Sequence, residues 1–401
     1  MSPEGSQTGS QKGSLRHPTA ETTAATLGEW AFGVTYGALG VSEALSMRES
    51  RNWRFLPGQG VNRFAEVLST AAIDAHLRTD AARSPRIAMA DESQRGSAGV
   101  PAEEFTLDDG RVDLPRLLAR FDAGASLVVS QFDETHPPLQ RLCRGLEKLF
   151  LHAVQANLYL TPPAAQGFRT HYDTHDVLVL QVEGRKRWRV WDGEPLPRPT
   201  RRTGWTGKLS PEGEPHTLVL EPGDALYIPR GVFHDAATEP GETSLHITLG
   251  FLEPSWAEAL RQLLDDVEAT DPALRESVST WRIGEDDMHP ALEGALARLA
   301  APGLAERLQN LLLSHLPQDR QPLPARGLMD RMPEGRLRLA EGMHHHVVQG
   351  EDGVVALHWP GGVDILTAEQ MDDLTALADG AIPQDRDFAA HLWRHGMLER
   401  G

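Results

Sequence analysis

The sequence predicts an α+β protein in which a domain of short antiparallel strands is followed by a helical region and a small terminal module of strands and helices. Six runs of strand-like period, ANLYL, DVLVLQV, RKRWRVW, HTLVL, ALYIP and SLHITLGF, crowd between Ala156 and Leu252 with Gly and Pro turns between them, the pattern of an antiparallel barrel or sandwich. After Pro254 the apolar period turns helical, through Trp256, Leu260, Leu263 and Leu264 and again from Leu304 to Leu316. Past residue 325 the two periods mix in a stretch long enough for one small unit. The expected boundaries are therefore a tail at 1–27, the strand domain with its lead-in at 28–254, a helical region at 255–324 and the module at 325–401.

Taken in order, residues 1–27 are rich in Ser, Thr and Gly with no apolar run behind their few basic residues, so they read as a flexible tail and not as a secretion signal. The apolar stretch Trp30 to Val41 is broken by Gly33, Gly37 and Gly40 and falls short of the roughly 20 residues that span a bilayer; no membrane segment is expected. Residues 45–110 have weak periodicity and yield no assignment beyond a Ser/Gly-rich loop at Glu92 to Gly99. From Asp113, DLPRLLARF predicts a short helix stopped at Gly124, and SLVVS at 126–130 a strand. Leu139, Leu142, Cys143, Leu146, Leu149 and Phe150 form the apolar stripe of a helix that starts after Pro137 and Pro138. In the last module MHHHVVQ and VVALHW are strands about a turn at Gly350 to Gly353. Thr367 and Gln370 make a capping box for a helix closed at Gly380, and a second helix runs near Phe388 to His395. Two strands and two helices of this size suit a winged-helix-like module.

Charge and cysteine usage narrow the function classes. A formal net charge of -18 repels polyanions, so direct DNA binding is not expected. The predicted helix from Thr367 to Ala378 carries Glu369, Asp372 and Asp373 and no Lys or Arg, which argues against a DNA-reading regulator. The single cysteine, Cys143, excludes an internal disulfide and a thiolate cluster and fits a reducing cytoplasm.

The chemistry concentrates in the strands. His171 and Asp173 stand two apart in a segment entering DVLVLQV, so in extended backbone they share a face. His234 follows LEPGDALYIPRGVF, where two strands and two tight turns deliver a histidine at the mouth. Two imidazoles and one carboxylate form the facial set that leaves three positions open on Fe(II). Alternation places Arg185, Arg187 and Arg189 on one face of the next strand and Lys186, Trp188 and Val190 on the other. A lysine turned inward asks for an anion, and the distal carboxylate of 2-oxoglutarate is such an anion. Asn157 and Tyr159 share a face of ANLYL, and His246 and Thr248 share the polar face of SLHITLGF; all four are candidates for contact with the co-substrate or the iron region, with a buried structural polar role as the alternative for Asn157 and Tyr159 and a satisfied core histidine as that for His246. His175 is an unneeded competitor to the triad. His344, His345 and His346 alternate faces and read as a surface strand, not a metal tract.

These residues carry a family likeness. NLYLTPPAAQGFRTHYDTHDVLVLQVEGRKRWRVW followed by LEPGDALYIPRGVFHDA resembles the JmjC-type cupin oxygenases, and within them the ribosomal oxygenases, over about residues 113–256. The resemblance implies a double-stranded β-helix (a cupin or jelly-roll barrel) using Fe(II), 2-oxoglutarate and O2. It gives His171, Asp173 and His234 as the iron ligands and Lys186 as the partner of the 2-oxoglutarate carboxylate. Bacterial arginine-hydroxylating members usually carry arginine at that last place, and the animal histidine-hydroxylating branch carries lysine. The resemblance further implies a helical dimerisation region, hence a homodimer, and a C-terminal winged-helix module. The acceptor it implies is a histidine or arginine of a ribosomal protein, hydroxylated at Cβ. Residues 28–66 lack the family's apolar-basic pattern, which leaves open a small peptide or natural-product precursor as acceptor. Demethylation of an Nε-methyl group and a non-catalytic cupin regulator are the further alternatives.

Overall fold

The structure is a computed structural model that describes residues 26–58, 60–92, 99–203, 209–278, 280–282, 289–300, 303–318, 321, 323, 325–350 and 353–401. The tail expected at 1–27 lies outside these residues but for Thr26 and Leu27, as does most of the Glu92–Gly99 loop.

The chain opens with helices α1 (Leu27–Tyr36) and α2 (Val41–Ser50), the short strand β1 (Arg54–Leu56), helix α3 (Thr70–Leu77) and strand β2 (Ile87–Ala90). From residue 45 onward this region gave no assignment from its periodicity. Thr26 and Glu29 close a capping box on α1, which runs through Gly33 and buries Leu27, Ala31, Phe32 and Tyr36. Then come α4 (Leu114–Asp122), β3 (Ser126–Val129) and α5 (Pro137–Phe150), close to the expected positions. Asp113 caps α4. The stripe of α5 is buried through Leu139, Leu142, Cys143 and Leu146. α1 lies so close to α5 that a Cβ on Gly145 would stand 2.5 Å from that of Ala31; glycine here sets the helix spacing.

The barrel strands are β4 (Ala153–Thr161), β5 (Asp176–Glu183), β6 (Lys186–Val190), β7 (His216–Leu220), β8 (Ala225–Ile228), β9 (His234–Ala237) and β10 (Ser244–Leu252). They divide into a seven-stranded sheet of order β1-β8-β5-β10-β4-β3-β2 and a three-stranded sheet of order β7-β6-β9, with antiparallel pairing throughout. The large sheet is buried on both faces, which is why DVLVLQV lacks alternation. Leu178, Leu180, Leu245, Ile247, Leu249 and Phe251 pack with α1, α3 and α5 in the main core. The opposite face, with Val177, Val179, Leu226 and Ile228, meets Trp188, Val190 and Leu220 of the small sheet. The apolar face of SLHITLGF thus points away from the barrel and its polar face points in.

After β10 the chain forms α6 (Trp256–Thr270), α7 (His289–Leu299) and α8 (Leu304–Gln318), with Ala259, Leu263 and Val267 packed on Leu308. The last unit holds β11 (Leu337–Leu339), β12 (His346–Gln349), β13 (Val355–Trp359), β14 (Gly362–Leu366), α9 (Ala368–Ala378), α10 (Arg386–Arg394) and β15 (Leu398–Arg400). Its core is Leu357, Trp359, Leu374, Leu377, Phe388, Leu392 and Trp393. The capping box of Thr367 and Gln370 is present. β14 was not among the expected strands; it completes the sheet β12-β13-β14.

His344 corrects the surface-strand reading of the histidine run. It is buried, and its Nε2 lies 3.1 Å from an Oε2 of Glu147 on α5. Glu147 also pairs with Arg144 and accepts from the N–H of Val154 at 2.8 Å. Asp133 approaches Arg144 at 3.5 Å and accepts from Ala156 N–H at 2.8 Å. A buried network thus ties the last unit to the helix that supports β4. Losing one partner of such a network leaves the others unsatisfied. His344→Ala should lower the unfolding free energy by about 1–3 kcal/mol in denaturant titration; a change under about 0.5 kcal/mol, typical of an ordinary surface site, would show the contact to be dispensable.

Candidate metal centre

His234 opens β9, and an isolated antiparallel bridge joins it to His171. The bridge is reciprocal: His171 N–H donates to His234 O at 3.0 Å, and His234 N–H to His171 O at 2.8 Å. Directly bridged residues project side chains to the same face, and the two imidazole rings stand 4.5 Å apart. Asp173 follows two residues on, with its carbonyl held by Gly231 N–H at 3.0 Å. His171, Asp173 and His234 each offer a ligand atom within 4.8 Å of the other two, and Nε2 of His234 is 3.7 Å from Oδ2 of Asp173. No other group of three such side chains meets this test among the described residues.

Hydrogen bonding also sets the ring tautomers. His171 Nδ1 lies 2.7 Å from the carbonyl of Arg169, and His234 Nδ1 lies 3.0 Å from that of Val232. A carbonyl only accepts, so each Nδ1 carries a proton, and in the neutral ring each Nε2 keeps a lone pair for a metal. Burial, reinforced by the neighbouring His171, pushes His234 down to about 4 and so keeps it neutral. Burial opposes ionisation of Asp173, yet His234, His171 and His175 outweigh it and hold the carboxyl below its usual range. Two neutral imidazoles and a carboxylate are a donor set for a divalent ion of intermediate hardness. His175 stands apart: its Nε2 would lie 2.6 Å from a Cβ at Gly250, so the imidazole occupies the notch left by that glycine.

The triad lines a cavity of about 240 Å³ between the two sheets. Lys186, as alternation predicts, points into it and is 4% exposed. Its Nζ donates to Thr161 Oγ1 at 2.8 Å, and Ser126 Oγ donates to the same oxygen at 3.2 Å. Burial, offset by no neighbouring carboxylate, pushes the Lys186 ammonium down to about 7. Trp188 Nε1 and His246 Nδ1 are buried with no protein partner, and both residues line the cavity. His246 stacks on Tyr159 at 4.9 Å; burial, and then Lys186, holds its pKa well below the ordinary value. A cation held only by a hydroxyl, beside an unused indole N–H, is a cavity short of an anion. The residues therefore fit both a divalent metal and a carboxylate co-substrate.

Tyr159, His246 and Thr248 take the places expected of them in the lining. Asn157 does not: it is absent from the lining, and its Oδ1 accepts from Gln131 N–H at 2.9 Å. Its amide oxygen holds the turn after β3, where Gln131 adopts a left-handed φ of 52°, the structural role that its place on the strand also allowed. Thr161, Ser126 and Phe168 line the cavity without having been singled out. Thr161 was within reach of the alternation argument, two residues beyond Tyr159 on one strand.

Comparison with known proteins agrees with this geometry. Residues 128–259 match the JmjC domain family. Over 161 residues the chain is 42% identical to the "Bifunctional lysine-specific demethylase and histidyl-hydroxylase NO66" of Drosophila persimilis, covering 39% of this chain and 23% of that protein. The protein of the same name from Aedes aegypti is 35% identical over 203 residues, covering 49% of this chain and 31% of its own length. The chain thus spans less than a third of these curated relatives. The structure of YcfD, a ribosomal oxygenase from Escherichia coli, in complex with cobalt and 2-oxoglutarate superposes with a TM-score of 0.57 at 18% identity, over 90% of this chain and 98% of that one. The match to the JmjC domain family lies in the barrel, and the likeness in fold to YcfD extends well beyond it.

The buried lysine has a measurable signature. Between about pH 7 and 10.5 the unfolded chain holds the Lys186 proton and the folded chain does not, so stability rises with pH through that window. In metal-free protein without dicarboxylate, the stability of wild type relative to Lys186→Met should climb with pH by up to about 1.4 kcal/mol per unit and level off above and below. A difference that stays flat from pH 7 to 10 would show that the ammonium is not desolvated.

Proposed function

We propose that this chain is an Fe(II)- and 2-oxoglutarate-dependent oxygenase that hydroxylates a side-chain carbon of a protein, with Cβ of a histidine in a ribosomal protein as the preferred target. The observation that carries this reading is the convergence of His171, Asp173 and His234 on one point of a cavity that also holds an ammonium with no counter-ion. In the proposal the triad holds the metal through two Nε2 atoms and a carboxylate oxygen, and Lys186, steadied by Thr161, holds the distal carboxylate of the oxo acid. With metal, 2-oxoglutarate and O2 bound, the centre supplies the oxidation that inserts oxygen into an unactivated C–H bond while the oxo acid becomes succinate and CO2. Phe168 and Tyr159, in edge contact with each other, form an aromatic wall of the cavity.

Histidine is favoured over arginine by charge. Asp173 is the only carboxylate among the described lining residues, and in this reading it is engaged by the metal. A guanidinium would enter the cavity with no carboxylate of the protein free to pair it, whereas a neutral imidazole needs no counter-ion. The relatives named for histidyl hydroxylation support the same choice, and their demethylase label makes formaldehyde release the control to run. With 2-oxoglutarate present, peptides from ribosomal proteins should gain the mass of one oxygen on histidine and not on arginine, and His171→Ala should abolish succinate formation. Full turnover by that variant would refute the triad, and oxygen found on arginine would refute the charge argument.

The proposal also covers the domains: tail to 27, catalytic barrel to 254, helical region to 324 and a winged-helix-like module from 325, in a cytoplasmic homodimer. α6 supports the dimer, because Ala259, Leu263 and Val267 face α8 while Trp256, 77% exposed, lies with exposed Leu260 and Leu264 in a stripe on the outer face. A second copy would cover that stripe. Light scattering should give twice the chain mass, falling to one for Trp256→Glu/Leu260→Glu. A monomeric wild type would remove the dimer from the proposal.

A further inference from the structure

His171 belongs to no named strand; it reaches β9 only through its isolated bridge, at the end of a long connection from β4. Ligand distances at a metal are tolerant to only about 0.2 Å, so something must hold that connection still. The side chain next to His171 supplies the hold. Thr170 Oγ1 donates to Asp235 Oδ2 at 2.5 Å, and Asp235 is the residue after His234. The same carboxylate receives both arms of Arg189, Nε to Oδ1 at 2.8 Å and a terminal nitrogen to Oδ2 at 2.7 Å. Arg189 stands on the outer face of β6, the strand whose inner face carries Lys186. Asp235 is buried, and three charge-assisted bonds hold its carboxylate.

We infer that Asp235, clamped between Thr170 and Arg189, is a positioning residue that sets the spacing of His171 and His234 from outside the cavity and thereby the affinity for the metal. It does not line the cavity; it acts through the backbone of His171, which follows its contact Thr170, and of His234, which precedes Asp235 itself. The inference rests on the metal centre proposed above. Partners outside a metal's ligand set typically change its affinity about 10–100-fold, and the lower end applies to a contact made through the backbone.

Thr170→Val keeps the shape and removes the hydroxyl, and Thr170→Ser keeps the hydroxyl. Metal-free proteins are titrated with Co(II) and followed by visible absorption, with thermal midpoints measured in parallel. The expected result is Co(II) affinity weakened about 10-fold in Thr170→Val, restored in Thr170→Ser, and metal-free midpoints alike in all three proteins. Asp235→Asn should weaken Co(II) at least as much where it folds, and Thr170→Val decides the matter where it does not. If wild type binds Co(II) and Thr170→Val binds it equally well, or weakens only in step with its midpoint, the clamp is overturned and the metal centre stands. If wild type binds no Co(II), the metal centre and the clamp fall together.

Discussion

The reciprocal backbone bond between His171 and His234 is the constraint on which the rest of this site depends. It turns two residues 63 positions apart in the chain into cross-strand neighbours and so places two imidazoles on one face at ring-contact distance. Strand geometry then adds Asp173 without further device, since the second residue along returns to the same face. Around that bridge the large sheet is buried twice, against helices on one side and the small sheet on the other. The double burial lets an inner face carry His246, Thr248, Tyr159 and Thr161, because the apolar side chains that stabilise the sheet are placed on its far side.

What the sequence disclosed and what it hid divide along contact range. Alternation within single strands is local, and it correctly turned Lys186 inward and His246 and Thr248 toward the barrel interior. The triad was legible because His171 and Asp173 are two apart and His234 follows tight turns at Pro-Gly-Asp and Pro-Arg-Gly. The N-terminal helices were not legible: α1 carries Gly33 within it and owes its place to a close fit against Gly145, more than a hundred residues away. His344 was misread for the same reason, since nothing near it in the chain announces Glu147. Asn157 shares the face of Tyr159, and its amide oxygen accepts from the backbone N–H of Gln131, a partner that strand alternation does not disclose. β14 was missed because two glycines precede a run whose exposed Val363 and Ile365 look like neither face of a core strand.

The electrostatics of the cavity and of the whole chain run in opposite senses. The chain is strongly acidic, yet the barrel interior is furnished mostly with donors: an ammonium, an indole N–H, an imidazole and hydroxyls. An acidic exterior offers nothing to polyanions at large, while the interior favours a small anion that can shed its water. The reading of 2-oxoglutarate as the guest draws on this contrast, since a dicarboxylate with a chelating end can meet the lysine and the metal site together.

The strand from Lys186 to Val190 carries cations on both faces, and the two faces treat them differently. Arg187 and Arg189 sit outside with Glu239 and Asp235, while Lys186, Trp188 and Val190 are enclosed. A slip of one residue during assembly would exchange the faces: two guanidinium groups would enter the barrel without their carboxylates, and an indole and a valine would be left in water. Misaligned pairings of this strand are therefore self-rejecting, and the pattern that serves the finished site also guards the path by which the barrel closes.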